Sequence, residues 1–189
     1  MATFFISDVH LYHKNISRFC PETRPHSNVD QMNNEIVNQW VRQVTEQDTV
    51  WILGDMFFCN AADAIRMVKR LPGHKNLVYG NHDKAIRNNS ELRGHFESVR
   101  EYAEIKVDGH QFMLFHYPIW EWNNMHRGAI HLHGHIHNRV SGVPGRIINV
   151  CMDSPEFDHY APYRLYSSEE VIRVALRREV RQHHPKTEE

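Results

Sequence analysis

The 189 residues carry 41% hydrophobic and 24% charged side chains, enough for one ordinary domain with a sizeable core and too few for two. A formal charge of −1 gives no global field to draw the protein onto nucleic acid or anionic lipid, and no low-complexity tract argues for disorder. Cys20, Cys59 and Cys151 are odd in number and lack any C-x-x-C pairing, which argues against a disulfide framework or thiolate zinc site and fits a reducing cytoplasm.

The chain opens on MATFFISDVH, which has no basic leader and is expected to be neither signal peptide nor membrane span; no later stretch reaches ~18 apolar residues. Residues 2–7 are β-branched and aromatic and read as a buried strand that ends in Asp8-Val9-His10. Met32, Ile36, Val37, Trp40, Val41 and Val44 recur at helical spacing, predicting an amphipathic helix over about 30–45. The run TVWIL at 49–53 predicts a second buried strand, ending in Gly54-Asp55. Ala61, Ala64, Ile65, Val68 and Leu71 mark another helix, stopped by Pro72-Gly73. Residues 77–79 form a third strand, ending in Gly80-Asn81-His82-Asp83.

After a polar helical segment at 84–95 the pattern changes. Runs at 101–107 and 111–115 flank Asp108-Gly109, a hairpin signal, and the second arm ends in His116. A strand at 129–132 runs into Gly134-His135-Ile136-His137, and RIINVC at 146–151 is the last clear strand. Ser167-x-x-Glu170 is a capping box opening a helix to about Val180. A single domain over 1–180 is expected, followed by a charged tail at 181–189 whose His183-His184 reads as solvent-exposed.

A βαβαβ pattern followed by a hairpin-rich half predicts an α/β mixed-sheet system covered by helices. Five strands end in carboxylates, an amide or histidines, and ligand sites in such folds gather outside the carboxyl ends of strands. His133, His135 and His137 occupy alternate positions, which point the same way on extended backbone. The turn at Gly134 separates His133, which reads as packing or support.

The order Asp8-x-His10, Gly54-Asp55, Gly80-Asn81-His82-Asp83, His116 and Gly134-His135-x-His137 resembles the calcineurin-like metallophosphoesterases over residues 1–150. The resemblance is to small uncapped members carrying F-I-S-D-x-H, H-Y-P and G-H-I-H. It implies a four-layer metallo-dependent phosphatase fold, two mixed β-sheets packed face to face and flanked by helices. It also implies that Asp8, His10, Asp55 and His137 hold one metal ion. Asp55 would bridge to a second ion completed by Asn81, His116 and His135, and His82 would face the phosphate as the catalytic residue. Imidazoles with carboxylates suit Mn²⁺, with Fe, Zn²⁺ or Ni²⁺ as alternatives, better than Mg²⁺.

One departure bears on substrate. Phosphoprotein phosphatases of this superfamily carry G-D-x-x-D-R, whose second Asp orients the catalytic histidine and whose Arg grips phosphate. Here the run is Gly54-Asp55-Met56-Phe57-Phe58-Cys59. A metal-dependent phosphodiesterase acting on a small nucleotide-like diester is the favoured expectation. The alternatives are a broad phosphomonoesterase and, in another class, a catalytically inactive interaction module of this fold. Arg24 is expected to clamp phosphate, His13 to reach the site, and Trp122 and Arg127, in the loop after His116, to form part of an aromatic wall. Without a basic run, long duplex nucleic acid is not an expected partner, and oligomeric state is left open.

Overall fold

A computed structural model describes residues 1–157 and 162–182. In chain order the elements are β1 (Thr3–Ile6), α1 (Ile16–Phe19), α2 (Val29–Gln43), β2 (Thr49–Ile52), α3 (Ala61–Val68), β3 (His74–Val78), α4 (Lys84–Arg87), α5 (Ser90–Arg93) and β4 (Ser98–Arg100). They continue with β5 (Ala103–Val107), β6 (His110–Leu114), β7 (Ile130–His133), β8 (Ile147–Asn149), β9 (Tyr166–Ser167) and α6 (Ser168–Leu176). Most of the expected elements form close to their predicted bounds. Two short strands at sheet edges, β4 and β9, had no sequence signal, and α6 ends at Leu176 rather than near Val180.

The strands make two mixed sheets. The first runs β4-β3-β2-β1-β9, with only β9 antiparallel; the second runs β5-β6-β7-β8, with only the β5–β6 hairpin antiparallel. Parallel neighbours need a crossover, which α2 and α3 supply between β1, β2 and β3. Asn28 caps α2 by accepting from Asp30 N and Gln31 N, and the helix buries Met32, Ile36, Val37 and Trp40. The capping box at Ser167 and Glu170 starts α6 as expected. Phe5 of β1 and Phe112 of β6 meet with ring centroids 5.3 Å apart, so the main core lies between the sheets. No helix among the described residues is long and apolar enough to cross a membrane. His183 and His184 lie outside the described residues.

The sheets are joined at one seam, where Ser7 just past β1 bridges in parallel to Cys151 just past β8. Ser7 N donates to Val150 O at 2.8 Å and Met152 N to Ser7 O at 2.9 Å. Beside this seam sits Arg24, which corrects the expectation that it clamps phosphate. Its side chain is buried, donating from Nε to Asp153 Oδ1 at 2.8 Å and from Nη2 to Asp153 Oδ2 at 2.9 Å. The same guanidinium donates to the carbonyls of Val9 at 2.8 Å and Asp8 at 2.6 Å. It is a structural cross-link between the loops after β1 and β8.

Removing one partner of a buried ion pair leaves the other charge unpaired, which costs about 3–5 kcal/mol. Arg24→Met is therefore expected to lower unfolding stability by that amount in urea titrations. A loss below about 1 kcal/mol would contradict the structural role.

Candidate metal centre

The ends of five strands converge. Asp8 and His10 follow β1, Asp55 follows β2, Asn81 and His82 follow β3, His116 follows β6, and His135 and His137 follow β7. Two glycines permit the approach: a Cβ on Gly80 would strike the Asp55 carboxylate, and one on Gly134 would strike Ser7 and Asp8. Nine described non-glycine residues have a positive φ, and five of them are Asp8, His10, Asp55, His135 and His137. Left-handed backbone costs an L-residue roughly 1 kcal/mol or more, so strain concentrated on these five marks them as held for function rather than stability.

Two groups of ligand-type atoms lie within 4.8 Å of one another: Asp8 with His10 and His137, and Asp8 with Asp55 and His116. In the first, His10 Nε2 is 3.5 Å and His137 Nε2 3.7 Å from Asp8 Oδ1. In the second, His116 Nε2 is 3.5 Å from Asp55 Oδ2 and 3.0 Å from Asn81 Oδ1, and the His135 ring lies 5.2 Å from that of His116. The structure thus brings together all seven residues expected as ligands. Asp8 is common to both groups, a place that the sequence had reserved for Asp55.

Supporting contacts aim these side chains. His116 Nδ1 lies 2.7 Å from Leu53 O and His137 Nδ1 2.9 Å from Asp153 Oδ2, so both rings turn Nε2 inward, as outer partners of ligand histidines do. Asp8 Oδ2 accepts from Ser7 Oγ at 2.6 Å, His135 N at 2.8 Å and Cys151 Sγ at 2.9 Å. Among the described residues its other oxygen, Oδ1, has no hydrogen-bond partner, and neither ring nitrogen of buried His10 has one. Buried polar atoms are rarely left so. Donors and acceptors both without partners, facing each other across 3.5 Å, fit a cation.

The charges say the same. Burial raises the Asp55 carboxyl, and the field of His116 only partly offsets it. For Asp8, burial acts in the same direction but is outweighed by His10, His116 and His137, which hold it well below the usual carboxylate range. Burial opposes a proton on His137, yet Asp153, with Cys20 and Asp8, lifts it to about 10. A proton there stands where a metal ion would place its charge, and binding the ion would release it. A further group, Cys20 with His137 and Asp153, lies beside the first. Its Asp153 is already committed to Arg24 and Thr23.

His82 is exposed at the mouth, and its N donates to Asp55 Oδ1 at 2.8 Å. Adjacent Asp83 is buried and accepts from Gly80 N at 2.8 Å, Asp55 N at 2.9 Å and Met56 N at 3.0 Å. It ties the turn after β2 to the turn after β3. His133 is buried, and burial pushes it down to about 3, so it stays neutral in the interior. His13 reaches the edge of the site, its ring 5.5 Å from that of His10. Arg127 is exposed on a 3₁₀ turn, Met125–Arg127. The expected role of Trp122 is corrected. It is buried in a small secondary core with Met113, Met125 and Ile147, its Nε1 donating to Ala129 O at 2.9 Å. Tyr117 takes the aromatic place at the site. Its ring is 4.6 Å from His135, its hydroxyl is 3.4 Å from Asn81 Oδ1, and it follows His116 directly. None of the ligand residues lines the groove of about 750 Å³ beside α6.

The strain is separable from the ligand role at His135, whose φ is 71°. Both His135→Ala and His135→Gly should lose affinity at the second group. The glycine variant should be the more stable of the two without metal, by about 1 kcal/mol. Scanning calorimetry on chelated protein measures the difference; equal melting temperatures would show that this backbone carries no strain.

The family model of the calcineurin-like phosphoesterase superfamily domain matches residues 1–151. An uncharacterised protein of Methanocaldococcus jannaschii is 32% identical over 170 residues, 86% of this chain and 86% of that one. The Gene 66 protein of Mycobacterium phage D29 is 30% identical over 162 residues, 72% of this chain and 79% of that one. A solved structure of a protein of unknown function from Aquifex aeolicus shares 26% identity, with a TM-score of 0.69 over 92% of this chain and 98% of that one. The matched span holds every strand end from Asp8 to His137, and the chain belongs to the calcineurin-like phosphoesterase superfamily.

Proposed function

We propose that the protein is a two-metal phosphodiesterase acting on a small nucleotide-like diester. The observation that carries the metal reading is the buried, partnerless set of Asp8 Oδ1 and the His10 ring nitrogens within the two ligand groups. Asp8, His10 and His137 would hold the first ion; Asp55, Asn81, His116 and His135 would hold the second, with Asp8 common to both groups. Imidazole with carboxylate favours Mn²⁺ among the candidates. Two divalent ions, when bound, supply an activated water and neutralise phosphoryl oxygens. The chain's residues do the rest. Asp153 and the Leu53 carbonyl hold His137 and His116 in register, and Asp83 fixes the turn that presents Asn81 and His82. His82, exposed beside them, donates a proton to the leaving oxygen.

Two features support a nucleotide-like diester. Exposed Tyr117 beside Asn81 and His135 offers a ring for a base, and base stacking on aromatic side chains is worth ~1–3 kcal/mol. On the ligand-bearing loops, Lys14, Lys84 and Arg139 are exposed while Asp8, Asp55 and Asp83 are buried, which favours an anionic substrate. Arg24 is committed to Asp153 and so offers no bidentate grip to the dianion of a monoester. An intact ligand set argues against an inactive module.

Wild-type protein loaded with Mn²⁺ should hold about two ions by elemental analysis, and Asp55→Asn about one. Because burial raises the Asp55 carboxyl, its ionised form destabilises the metal-free fold. That cost is present above the raised folded value and vanishes as pH falls toward the ordinary value near ~3.9. Chelated Asp55→Asn should therefore melt above chelated wild type at pH 7, with the gap closing toward pH 4. Two ions at wild-type affinity in Asp55→Asn would overturn the assignment.

Substrate class is read from kcat/KM for bis-p-nitrophenyl phosphate, p-nitrophenyl phosphate and 2′,3′-cyclic nucleotides. Diesters should be preferred. Tyr117→Ala should raise KM about ten-fold for a nucleotide relative to methyl p-nitrophenyl phosphate, as the loss of one stack implies. A strong monoester preference, or equal effects of Tyr117→Ala on both diesters, would sink this reading.

A further inference from the structure

The backbone of His82 is held on both sides. Its N–H donates to Asp55 Oδ1 at 2.8 Å, and its carbonyl accepts from Lys84 N at 2.9 Å. The imidazole has no hydrogen bond among the described residues, and two aromatic rings lie near it. The Phe58 ring lies 4.7 Å away centroid to centroid, tilted by 41°, and His10 lies at 6.1 Å. The same phenyl ring is 4.8 Å from His10 and 4.2 Å from His13, so three imidazoles lean on one apolar surface. Such separations fall in the range of attractive aromatic pairs, about 4.5–7 Å, or just inside it.

Phe58 is itself well placed to act as a fixed support. Its N donates to Leu11 O at 2.8 Å, next to the Leu11–Phe57 bridge, which joins the loop after β2 to the loop after β1. Those are the loops that carry Asp55 and Asp8. The ring is half-buried and lies against three histidines.

The chemistry of an apolar support differs from that of a polar one. A carboxylate or carbonyl bound to one imidazole nitrogen selects the tautomer and removes that nitrogen from further use. A phenyl ring limits rotation of the imidazole and takes neither nitrogen. One nitrogen is then available to the leaving oxygen, and the other to water for return of the proton.

We propose that Phe58 is the positioning residue for His82, orienting its imidazole toward the leaving group by ring contact in place of a hydrogen bond. This rests on the reading of His82 as proton donor. Phe58 touches no reacting atom and acts only through the histidine.

The test uses Mn²⁺-loaded protein and a series of aryl diesters running from p-nitrophenyl to phenyl leaving groups. General-acid help is worth ~10²–10⁴-fold and matters most for the poorest leaving group. His82→Ala should therefore lose at least about 100-fold more kcat on the phenyl ester than on the p-nitrophenyl ester. Phe58→Leu should show the same bias at about ten-fold, in kcat rather than KM, and Phe58→Tyr should restore the wild-type slope. In the double variant, Phe58→Leu should add nothing to the bias already caused by His82→Ala. Equal losses from Phe58→Leu across the series would mean that the ring serves the metal ligand His10 instead, and would overturn the proposal. Bias from His82→Ala with none from Phe58→Leu would remove the positioning role alone. No bias from His82→Ala would remove the proton-donor reading and this proposal with it.

Discussion

Asp8 and Asp55 bring two buried carboxylates together at the ends of adjacent parallel strands, where like charges repel and the surroundings screen them weakly. Much of the neighbouring structure answers that repulsion. Three imidazoles face the pair, and three donors converge on a single oxygen of Asp8. Asp83, a third buried carboxylate, accepts three backbone N–H groups, and so organises the turns by spending its own charge on them. Arg24 neutralises a fourth, Asp153, which is then able to hold His137. Each acid has a different compensating partner: imidazoles for Asp8 and Asp55, backbone N–H groups for Asp83 and a guanidinium for Asp153.

The order of elements and the ligand-type residues at strand ends were legible because both follow from local rules. Buried strands announce themselves by β-branched and aromatic runs, and a strand that stops at glycine places the next residue at the sheet's edge. What failed was side-chain burial. Arg24 and Trp122 look alike from the sequence, each a large side chain in a polar loop near a ligand, and both turn inward because a buried partner claims them, 129 residues away for Arg24 and seven for Trp122. Asp153 and Ala129 are those partners, and no spacing rule points to either. Tyr117 was passed over in favour of Trp122, although adjacency to His116 was the better guide. Phe58 stood out only as a departure from a motif; its three ring contacts depend on loops that are far apart in the chain. The strands β4 and β9 are two or three residues long, too short for any periodicity to register.

Strain adds a second layer. Five candidate ligands adopt backbone angles that favour glycine, yet none of them is glycine. Such conformations persist only where packing over-determines them. The stitching of the loops after β1, β2 and β3 by Arg24, Asp83 and the Leu11–Phe57 bridge supplies that constraint. Rigidity at the site is therefore produced by its surroundings before any ion binds.

The seam at Ser7 and Cys151 has one more consequence. Asp8, Asp55 and Asn81 come from the first sheet, while His116, His135 and His137 come from the second. An ion held among them would bridge the two sheets, so prying the sheets apart and releasing the ion would become one event. The lifetime of the folded chain would then be governed by how long the ion stays. Depletion of metal would show itself first as transient opening and proteolytic nicking along that boundary, before any change in the helices on the outside.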